Sequence, residues 1–251
     1  MKITRFQHNE SIEYGVIESG RIHLIDGSVF SEEIAYKDEY AELDRVKLLS
    51  PVVPSKVVCV GLNYKDHAKE LSMPIPEEPI IFLKPPSSLI GPGENILYPS
   101  SVNRLDYEAE LAIVIKKYTK SILSDRSSQH ILGYTALNDV TARDLQKKDG
   151  QWTRAKSFDT FCPVGPYIAT DLDADDLHIE LNVNGQIKQS SSTSNMIFGV
   201  DFLVSFISGV MSLMPGDIIA TGTPKGVGSL SRGDKIELII EGIGSLKNQI
   251  I

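Results

Sequence analysis

Three acidic residues, Asp106, Glu108 and Glu110, stand in the first half of an otherwise apolar segment, residues 106–115. The second half of this segment is apolar at every position, which predicts a strand buried on both faces. Residues two apart share a face of a strand, so Glu108 and Glu110 should point the same way. Carboxylates that enter a buried strand lose hydration and repel each other unless a proton or a cation compensates. The segment therefore predicts a divalent-cation site or, as the alternative, a solvated strand end with both acids facing water.

A second group of polar residues begins at Asp139, after an expected strand over residues 133–137. Asp139 stands where the N-cap of a helix over residues 140–148 is expected. Arg143 and Gln146 then follow Asp139 at i+4 and i+7, on one helix face. The alternative is an N-cap with an exposed ion pair. If Asp139 joins the two glutamates, ligands that are all oxygen select Mg²⁺ or Mn²⁺ rather than Zn²⁺.

His67 and Glu70 are candidates for acid–base chemistry. They are three residues apart in a short expected helix, residues 64–71, which lies between Gly61 and three prolines at positions 74, 76 and 79. Side chains at this spacing share a helix face, so His67 could act as a base that Glu70 orients. The alternative is an ordinary surface pair.

Lys156 and Thr223 complete the set of candidate site residues. Lys156 precedes a partly apolar stretch, where its ammonium could hold a developing oxyanion, although a surface lysine would look the same. Thr223 lies in a glycine-containing turn, residues 221–224, whose hydroxyls and backbone N–H groups suit a carboxylate. The alternative is a plain turn. Residues 226–228 are not a phosphate loop, because neither a Lys-Ser/Thr pair nor a following helix is present.

The elements that must position these residues are mostly strands. Alternating apolar residues between positions 12 and 24, with a turn at 18–21, predict a hairpin, and residues 31–45 show weak helical periodicity. Prolines at 51 and 54 favour a boundary near residue 50. We therefore expect a small N-terminal β-hairpin domain over residues 1–50 and a catalytic domain over residues 51–251.

Strands are also expected to outnumber helices in the second part. Their irregular spacing does not fit a strict βαβ repeat and favours a mixed or mainly antiparallel assembly with a few helices. The expected strands cover residues 57–60, 80–83, 107–115, 133–137, 164–169, 179–183, 217–220 and 235–240, with further helices over 140–148 and 196–211.

Composition excludes several classes of protein. The 251 residues include 25 Lys+Arg and 33 Asp+Glu, a net charge of −8, and no basic cluster that would suit a nucleic-acid partner. Apolar runs are far shorter than the roughly 20 residues that a bilayer requires, so no membrane partner is expected. The two cysteines, Cys59 and Cys162, form neither a disulfide framework nor a zinc pattern. A cytoplasmic location is the simplest expectation.

Five separated motifs together resemble the fumarylacetoacetate hydrolase family, in its short form that includes acylpyruvases, oxaloacetate decarboxylases and hydroxyheptadienedioate isomerase/decarboxylase enzymes. The match runs in order from about residue 50 to the C-terminus. The motifs lie at residues 61–70 (GLNYKDHAKE), 106–110 (DYEAE), 138–146 (NDVTARDLQ), 152–159 (WTRAKSFD) and 220–228 (ATGTPKGVG).

This resemblance implies a fold and a site. The fold is a β-rich, mixed α/β structure: a C-terminal mixed β-sandwich roll of the fumarylacetoacetate hydrolase type with a small N-terminal β domain. The metal, Mg²⁺ or Mn²⁺, would be held by Glu108, Glu110 and Asp139. A mobile lid helix would carry His67 and Glu70, and the protein would be a homodimer.

The expected activity is metal-dependent cleavage of a C–C bond in a small 2-oxo acid, through a metal-stabilised enolate. Acylpyruvate hydrolysis would use a water that His67 and Glu70 activate, whereas oxaloacetate decarboxylation would release CO₂ directly. Arg143, Gln146, Lys156 and Thr223 would position carboxylates and oxo oxygens. The alternative within enzymes is an isomerase/decarboxylase of aromatic catabolism. A non-catalytic protein with a structural Ca²⁺ site is the alternative outside them; such sites form within one loop, whereas these acids lie about thirty residues apart.

Overall fold

The computed structural model describes residues 1–8 and 10–251. Strands dominate this part of the chain, as expected. The first ten strands are β1 (Lys2–His8), β2 (Ser11–Glu18), β3 (Arg21–Asp26), β4 (Ala35–Glu42), β5 (Lys47–Leu48), β6 (Val57–Gly61), β7 (Ile80–Lys84), β8 (Leu89–Ile90), β9 (Asn95–Ile96) and β10 (Leu105–Tyr107). The next ten are β11 (Ala109–Ile115), β12 (Ile131–Asn138), β13 (Thr141–Ala142), β14 (Cys162–Ala169), β15 (His178–Val183), β16 (Gln186–Ser192), β17 (Ile218–Ala220), β18 (Gly228–Leu230), β19 (Lys235–Ile240) and β20 (Gly244–Ile250).

Helices are short and few among the described residues. The α-helices are α1 (Lys65–Glu70), α2 (Arg143–Asp149), α3 (Thr153–Lys156) and α4 (Val200–Val210), and 3₁₀ turns cover Leu43–Arg45, Pro86–Ser88, Ser124–His130 and Thr193–Asn195. The 11 residues of α4 make it the longest α-helix in the described part of the chain. No helix found there has the length and apolar character needed to span a bilayer.

The strands form a large mixed sheet packed against a smaller one. The main path of the large sheet runs β4-β3-β2-β1-β14-β12-β11-β17-β6-β7, and the five-stranded sheet runs β16-β15-β19-β20-β9. The central strand β11 is buried along its whole length, because Leu111, Ile113 and Ile115 pack in the core shared with the smaller sheet while Ala112 and Val114 face a second core. The expected β-rich, mixed fold is confirmed.

The N-terminal strands continue the large sheet. Strand β1 pairs with β14, with Lys2 opposite Ala169, so the sheet runs without interruption from β4 to β7. The hairpin expected over residues 12–24 is formed by β2 and β3. The weak helical periodicity of residues 31–45 was misleading, because residues 35–42 form β4, which completes its backbone hydrogen bonds on β3.

Candidate active site

Glu108 lies where the chain passes from one sheet to another. A single strand was expected over residues 107–115, but β10 belongs to a three-stranded sheet with β13 and β18, whereas β11 lies in the large sheet. The Glu108 backbone N–H donates to Asn138 Oδ1 at 2.9 Å, and the Asp139 N–H donates to Glu108 O at 2.8 Å. These two bonds fix Glu108 beside Asp139, at the end of β12.

Asp139 does not cap a helix. The expected helix at residue 140 is replaced by β13, and α2 begins only at Arg143, with Ala142 as its N-cap. The Asp139 side chain is fully buried and accepts hydrogen bonds from Lys84 Nζ and Lys156 Nζ, each at 2.6 Å. The partners of this carboxylate are therefore two buried ammonium groups and not the N–H groups at a helix end.

The three acids predicted to bind a metal converge. One carboxylate oxygen from each of Glu108, Glu110 and Asp139 can be chosen so that all three lie within 4.8 Å of one another, and all three residues are buried. The structure thus brings together side chains from the start of β11, from the residue before it and from the residue directly after β12. Three buried carboxylates with only oxygen donors fit a hard divalent cation of the Mg²⁺ or Mn²⁺ type.

The charges around the three acids are unevenly distributed. Lys156 Nζ donates to Glu108 Oε2 at 2.8 Å, and Arg143 also binds Glu108. Burial alone would raise the pKa of Glu108, but the charges of Lys156 and Arg143 outweigh it and lower the pKa to about 2. Glu110 instead accepts a backbone hydrogen bond from Gly222 N at 2.8 Å, and burial together with the charges of Asp139 and Glu108 raises its pKa well above the ordinary value.

Gly222 is required for the bond to Glu110. Its φ is +97°, in the region that favours glycine, and a Cβ at this position would lie 2.8 Å from the Cβ of Asn63. Asn63 is itself buried and donates to Thr221 O at 2.8 Å. The turn after β17 therefore closes tightly on the segment that precedes α1, and this brings the Gly222 N–H to the acidic cluster.

Arg143 and Gln146 lie on α2 as a connected pair. Arg143 Nη1 donates to Gln146 Oε1 at 2.6 Å, and Arg143 Nε donates to Asp106 Oδ2 at 2.8 Å. Asp106 is fully buried, so it holds the guanidinium against the acidic cluster. Thr223 Oγ1 accepts a hydrogen bond from Gln189 Nε2 at 2.8 Å, which fixes the hydroxyl of that turn.

His67 and Glu70 form the hydrogen-bonded pair that their spacing predicts. His67 Nδ1 and Glu70 Oε2 are 3.0 Å apart on α1. Glu70 also accepts a hydrogen bond from Gly226 N at 3.0 Å, and Asp66 Oδ2 accepts one from Ser191 Oγ at 2.7 Å. These contacts hold α1 over the turn after β17 and against β16.

Eight of the nine predicted site residues line one cavity of about 220 Å³, and Glu70 lies in an adjoining one that His67 also lines. A larger groove of about 770 Å³ lies elsewhere, between the N-terminal strands and β12. The residues of the smaller cavity offer a cation site, fixed positive charges and an imidazole. The residues that share this cavity are His67, Glu108, Glu110, Asp139, Arg143, Gln146, Lys156 and Thr223.

Sequence reasoning missed Lys84, Asn138 and Gln189. Lys84 is fully buried at the end of β7. A lysine at the end of an otherwise apolar strand was a signal in the sequence that could have identified it. Asn138 lay inside a motif that was recognised, but its role through Glu108 N depends on a contact between two strands. Gln189 lies in the polar strand β16 and binds Ala109 N as well as Thr223, and nothing in its surroundings along the chain marks it.

Comparison with known proteins identifies the class. The family model described as fumarylacetoacetate (FAA) hydrolase C-terminal matches residues 56–251, and one described as Rv2993c-like, N-terminal, matches residues 1–51. Because the first match covers well over half of the chain, the protein belongs to the fumarylacetoacetate hydrolase family.

Three individual proteins show how similar this chain is to known members. Protein MJ1656 of Methanocaldococcus jannaschii is 60% identical over 202 residues, which cover 80% of this chain and 85% of the relative. The mitochondrial oxaloacetate tautomerase FAHD2A of Bos taurus is 43% identical over 248 residues, covering 94% of this chain and 78% of that protein. The crystal structure of 2-hydroxyhepta-2,4-diene-1,7-dioate isomerase from Mycobacterium marinum is 43% identical and superposes with a TM-score of 0.94, covering 100% of this chain and 98% of the other.

Proposed function

We propose that the protein is a divalent-metal-dependent enzyme that cleaves a C–C bond in a small 2-oxo acid, with acylpyruvate hydrolysis as the leading reaction. The single observation that carries this proposal is the lining of the 220 Å³ cavity. Three convergent carboxylates, two fixed cations and the imidazole of His67 share that cavity. Membership of the fumarylacetoacetate hydrolase family supports an enzyme but leaves the reaction open.

Glu108, Glu110 and Asp139 would hold the cation, which when bound supplies Lewis-acid polarisation of the substrate's 2-oxo group and carboxylate. The positive charges of the chain are arranged around the same point. Lys156 is almost completely buried, and its contacts with Asp139 and Glu108 raise the pKa of its ammonium against the opposing effect of burial. Lys156 therefore stays charged at neutral pH and can stabilise negative charge that develops on the leaving 2-oxo fragment.

His67 would move the proton in this reaction. In acylpyruvate hydrolysis its imidazole would take a proton from water as the water oxygen bonds to the distal carbonyl carbon, and the bond between that carbon and the pyruvate methylene then breaks. The pyruvate fragment regains a proton at its methylene carbon. Glu70, 3.0 Å from His67 Nδ1, would fix the ring orientation and stabilise its protonated form.

The assay is a panel of acetylpyruvate and oxaloacetate with Mg²⁺ or Mn²⁺. We expect metal-dependent release of pyruvate and acetate from acetylpyruvate, and its absence at any metal concentration would contradict the leading reaction.

Keto–enol proton transfer is a second candidate, because a relative 43% identical over most of this chain is named an oxaloacetate tautomerase. The His67–Glu70 pair could remove and return a carbon-bound proton without water. Interconversion of oxaloacetate tautomers without release of CO₂ or pyruvate, in a sample that leaves acetylpyruvate intact, would favour this candidate. The panel also tests oxaloacetate decarboxylation, which would release CO₂ and pyruvate together.

A further inference from the structure

The cavity that holds the acidic cluster has a second, apolar side. The apolar residues that line it include Leu71 and Met73 from the segment after α1, Ile80 and Phe82 from β7, and Trp152 before α3. We call these five residues the apolar wall. They come from elements other than those that carry the carboxylates and Arg143, which lie in or directly beside β11, β12 and α2. The cavity is therefore divided between a charged end and an apolar end.

Two contacts place the boundary between these ends beside Lys156. Its Nζ lies 5.0 Å from the centre of the Phe82 ring, and the Phe82 and Trp152 rings meet edge to face with centres 5.1 Å apart. The apolar wall thus begins next to the ammonium that faces the cation site. A substrate whose 2-oxo acid group lies at the charged end would extend its other substituent along this wall.

Gly61 makes room for the wall. A Cβ built at this position would lie 2.8 Å from Cζ3 and 2.9 Å from Cη2 of Trp152, closer than real side chains approach. The indole therefore packs directly on the backbone at the end of β6. Trp152 is therefore held between Gly61 and Phe82 as a packed part of the cavity lining.

A charged surface in the adjoining cavity, which His67 also lines, is the alternative binding place for the far substituent of the substrate. The adjoining cavity of about 310 Å³ is lined by Arg104 and Lys147 as well as Arg143, and these could attract a distal carboxylate. However, Arg104 Nε already binds Asp106 at 2.8 Å with half of its side chain exposed, and Lys147 is exposed to solvent. Cations as exposed as these contribute little to binding, because water and salt screen them.

We infer that the apolar wall selects the substrate: a 2-oxo acid whose far substituent is a short apolar chain, in preference to one that ends in a second carboxylate. The inference rests on the proposed function and adds the chemical class of the substrate's far end. Each methylene buried against the wall should strengthen binding about fourfold. The small volume of 220 Å³, below the roughly 300–1,000 Å³ of pockets for drug-sized ligands, limits the length of that chain.

Trp152 is the single tryptophan of the chain, so its fluorescence reports on the wall directly. The test titrates the full-length protein, with Mg²⁺ present, with pyruvate, 2-oxohexanoate and 2-oxoadipate. The last two have six carbons each and differ in whether the chain ends in a methyl group or a carboxylate, and neither carries the 4-oxo group that hydrolysis requires. We expect 2-oxohexanoate to bind at least tenfold more tightly than 2-oxoadipate or pyruvate and to change the Trp152 emission.

A matched pair of variants locates the effect. Met73→Ser alters the wall at a residue 49% exposed, and Met214→Ser makes the same change at a residue 44% exposed outside the cavity lining. Met73→Ser should weaken 2-oxohexanoate severalfold without changing pyruvate binding, and Met214→Ser should change neither.

The possible failures are distinguishable. Binding of pyruvate together with equal or tighter binding of 2-oxoadipate would overturn the inference and leave the proposed function standing. Equal loss of pyruvate and 2-oxohexanoate binding in Met73→Ser would also overturn it. If none of the three acids binds, the inference fails, and the acetylpyruvate assay decides whether the proposed function fails with it.

Discussion

Lys84 offers a test of how the acidic cluster is kept stable. Its side chain is fully buried, and Nζ donates to Asp139 Oδ1 at 2.6 Å and to Val140 O at 3.1 Å. Lys84→Met keeps the length of the side chain but removes its charge and both hydrogen bonds. Removing one partner of a buried ion pair costs about 3–5 kcal/mol, because the other charge remains in the interior. Lys156 still binds Asp139, so the cost should not exceed this range.

The expected readout is thermal unfolding followed by the fluorescence of Trp152. In a chain of this size about 1 kcal/mol lowers Tm by roughly 2–4 °C, so Lys84→Met should lower Tm by roughly 6–20 °C without metal. Mg²⁺ should stabilise this variant more than the natural protein, by about 1 kcal/mol or more, because a bound cation restores positive charge near Asp139. A Mg²⁺-induced stabilisation equal to that of the natural protein would refute this reasoning.

Lys116→Met is the matched control. Lys116 Nζ binds Glu32 at 3.0 Å, but the Glu32 side chain is 79% exposed. Water and salt screen an exposed pair of this kind, so it contributes little to stability. The control should therefore unfold within about 4 °C of the natural protein, with an unchanged response to Mg²⁺. A Tm loss as large as that of Lys84→Met would show that burial of the pair is not the cause.

Three further outcomes are expected. His67→Ala should lower acetylpyruvate hydrolysis by roughly 10²–10⁴-fold while any oxaloacetate decarboxylation largely survives, and an equal loss in both assays would contradict the assigned role. Hydrogen exchange across residues 61–79 should slow when oxalate and Mg²⁺ are added, and unchanged exchange at saturation would argue against closure of α1 over a ligand. Asp217→Asn should destabilise the protein at pH 7, because hydrogen bonds to Lys56, Met214 N and Ser55 lower the pKa of Asp217 against the raising effect of burial. A carboxyl whose pKa is lowered in the folded state stabilises the fold above the unfolded-state pKa of about 3.9. In urea unfolding, the difference in free energy of unfolding between the variant and the natural protein should therefore shrink as pH falls below about 4. A difference independent of pH would contradict this.

Local patterns were sufficient for much of the fold and for the identity of the candidate residues. The unbroken apolar run in β11 indicated a strand buried on both faces, and the i, i+3 spacing of His67 and Glu70 indicated their contact. Both depend only on the geometry of one element. The domain boundary near residue 50 stays a proposal, in line with separate family models for residues 1–51 and 56–251.

Features that depend on distant parts of the chain were not predictable. The break at Glu108 arises because β10 and β11 join different sheets, and Asp139 is buried because Lys84, fifty-five residues away in sequence, reaches it. From the pattern of its own segment, Asp139 was expected at the N-cap of a helix. Only the tertiary contacts show that it faces two ammonium groups. The strand β4 was missed for a similar reason, because its backbone pairs with β3 while its side chains are mostly exposed.

The central claim is that Glu108, Glu110 and Asp139 hold one divalent cation. Its most direct test is a Mn²⁺ titration followed by electron paramagnetic resonance, comparing the natural protein with Glu110→Gln, which keeps the shape of the side chain and removes one charged ligand. We expect one Mn²⁺ per chain in the natural protein and at least tenfold weaker binding in the variant. Absence of Mn²⁺ binding in the natural protein, or equal affinity in the variant, would contradict the assignment of the cluster as a metal site.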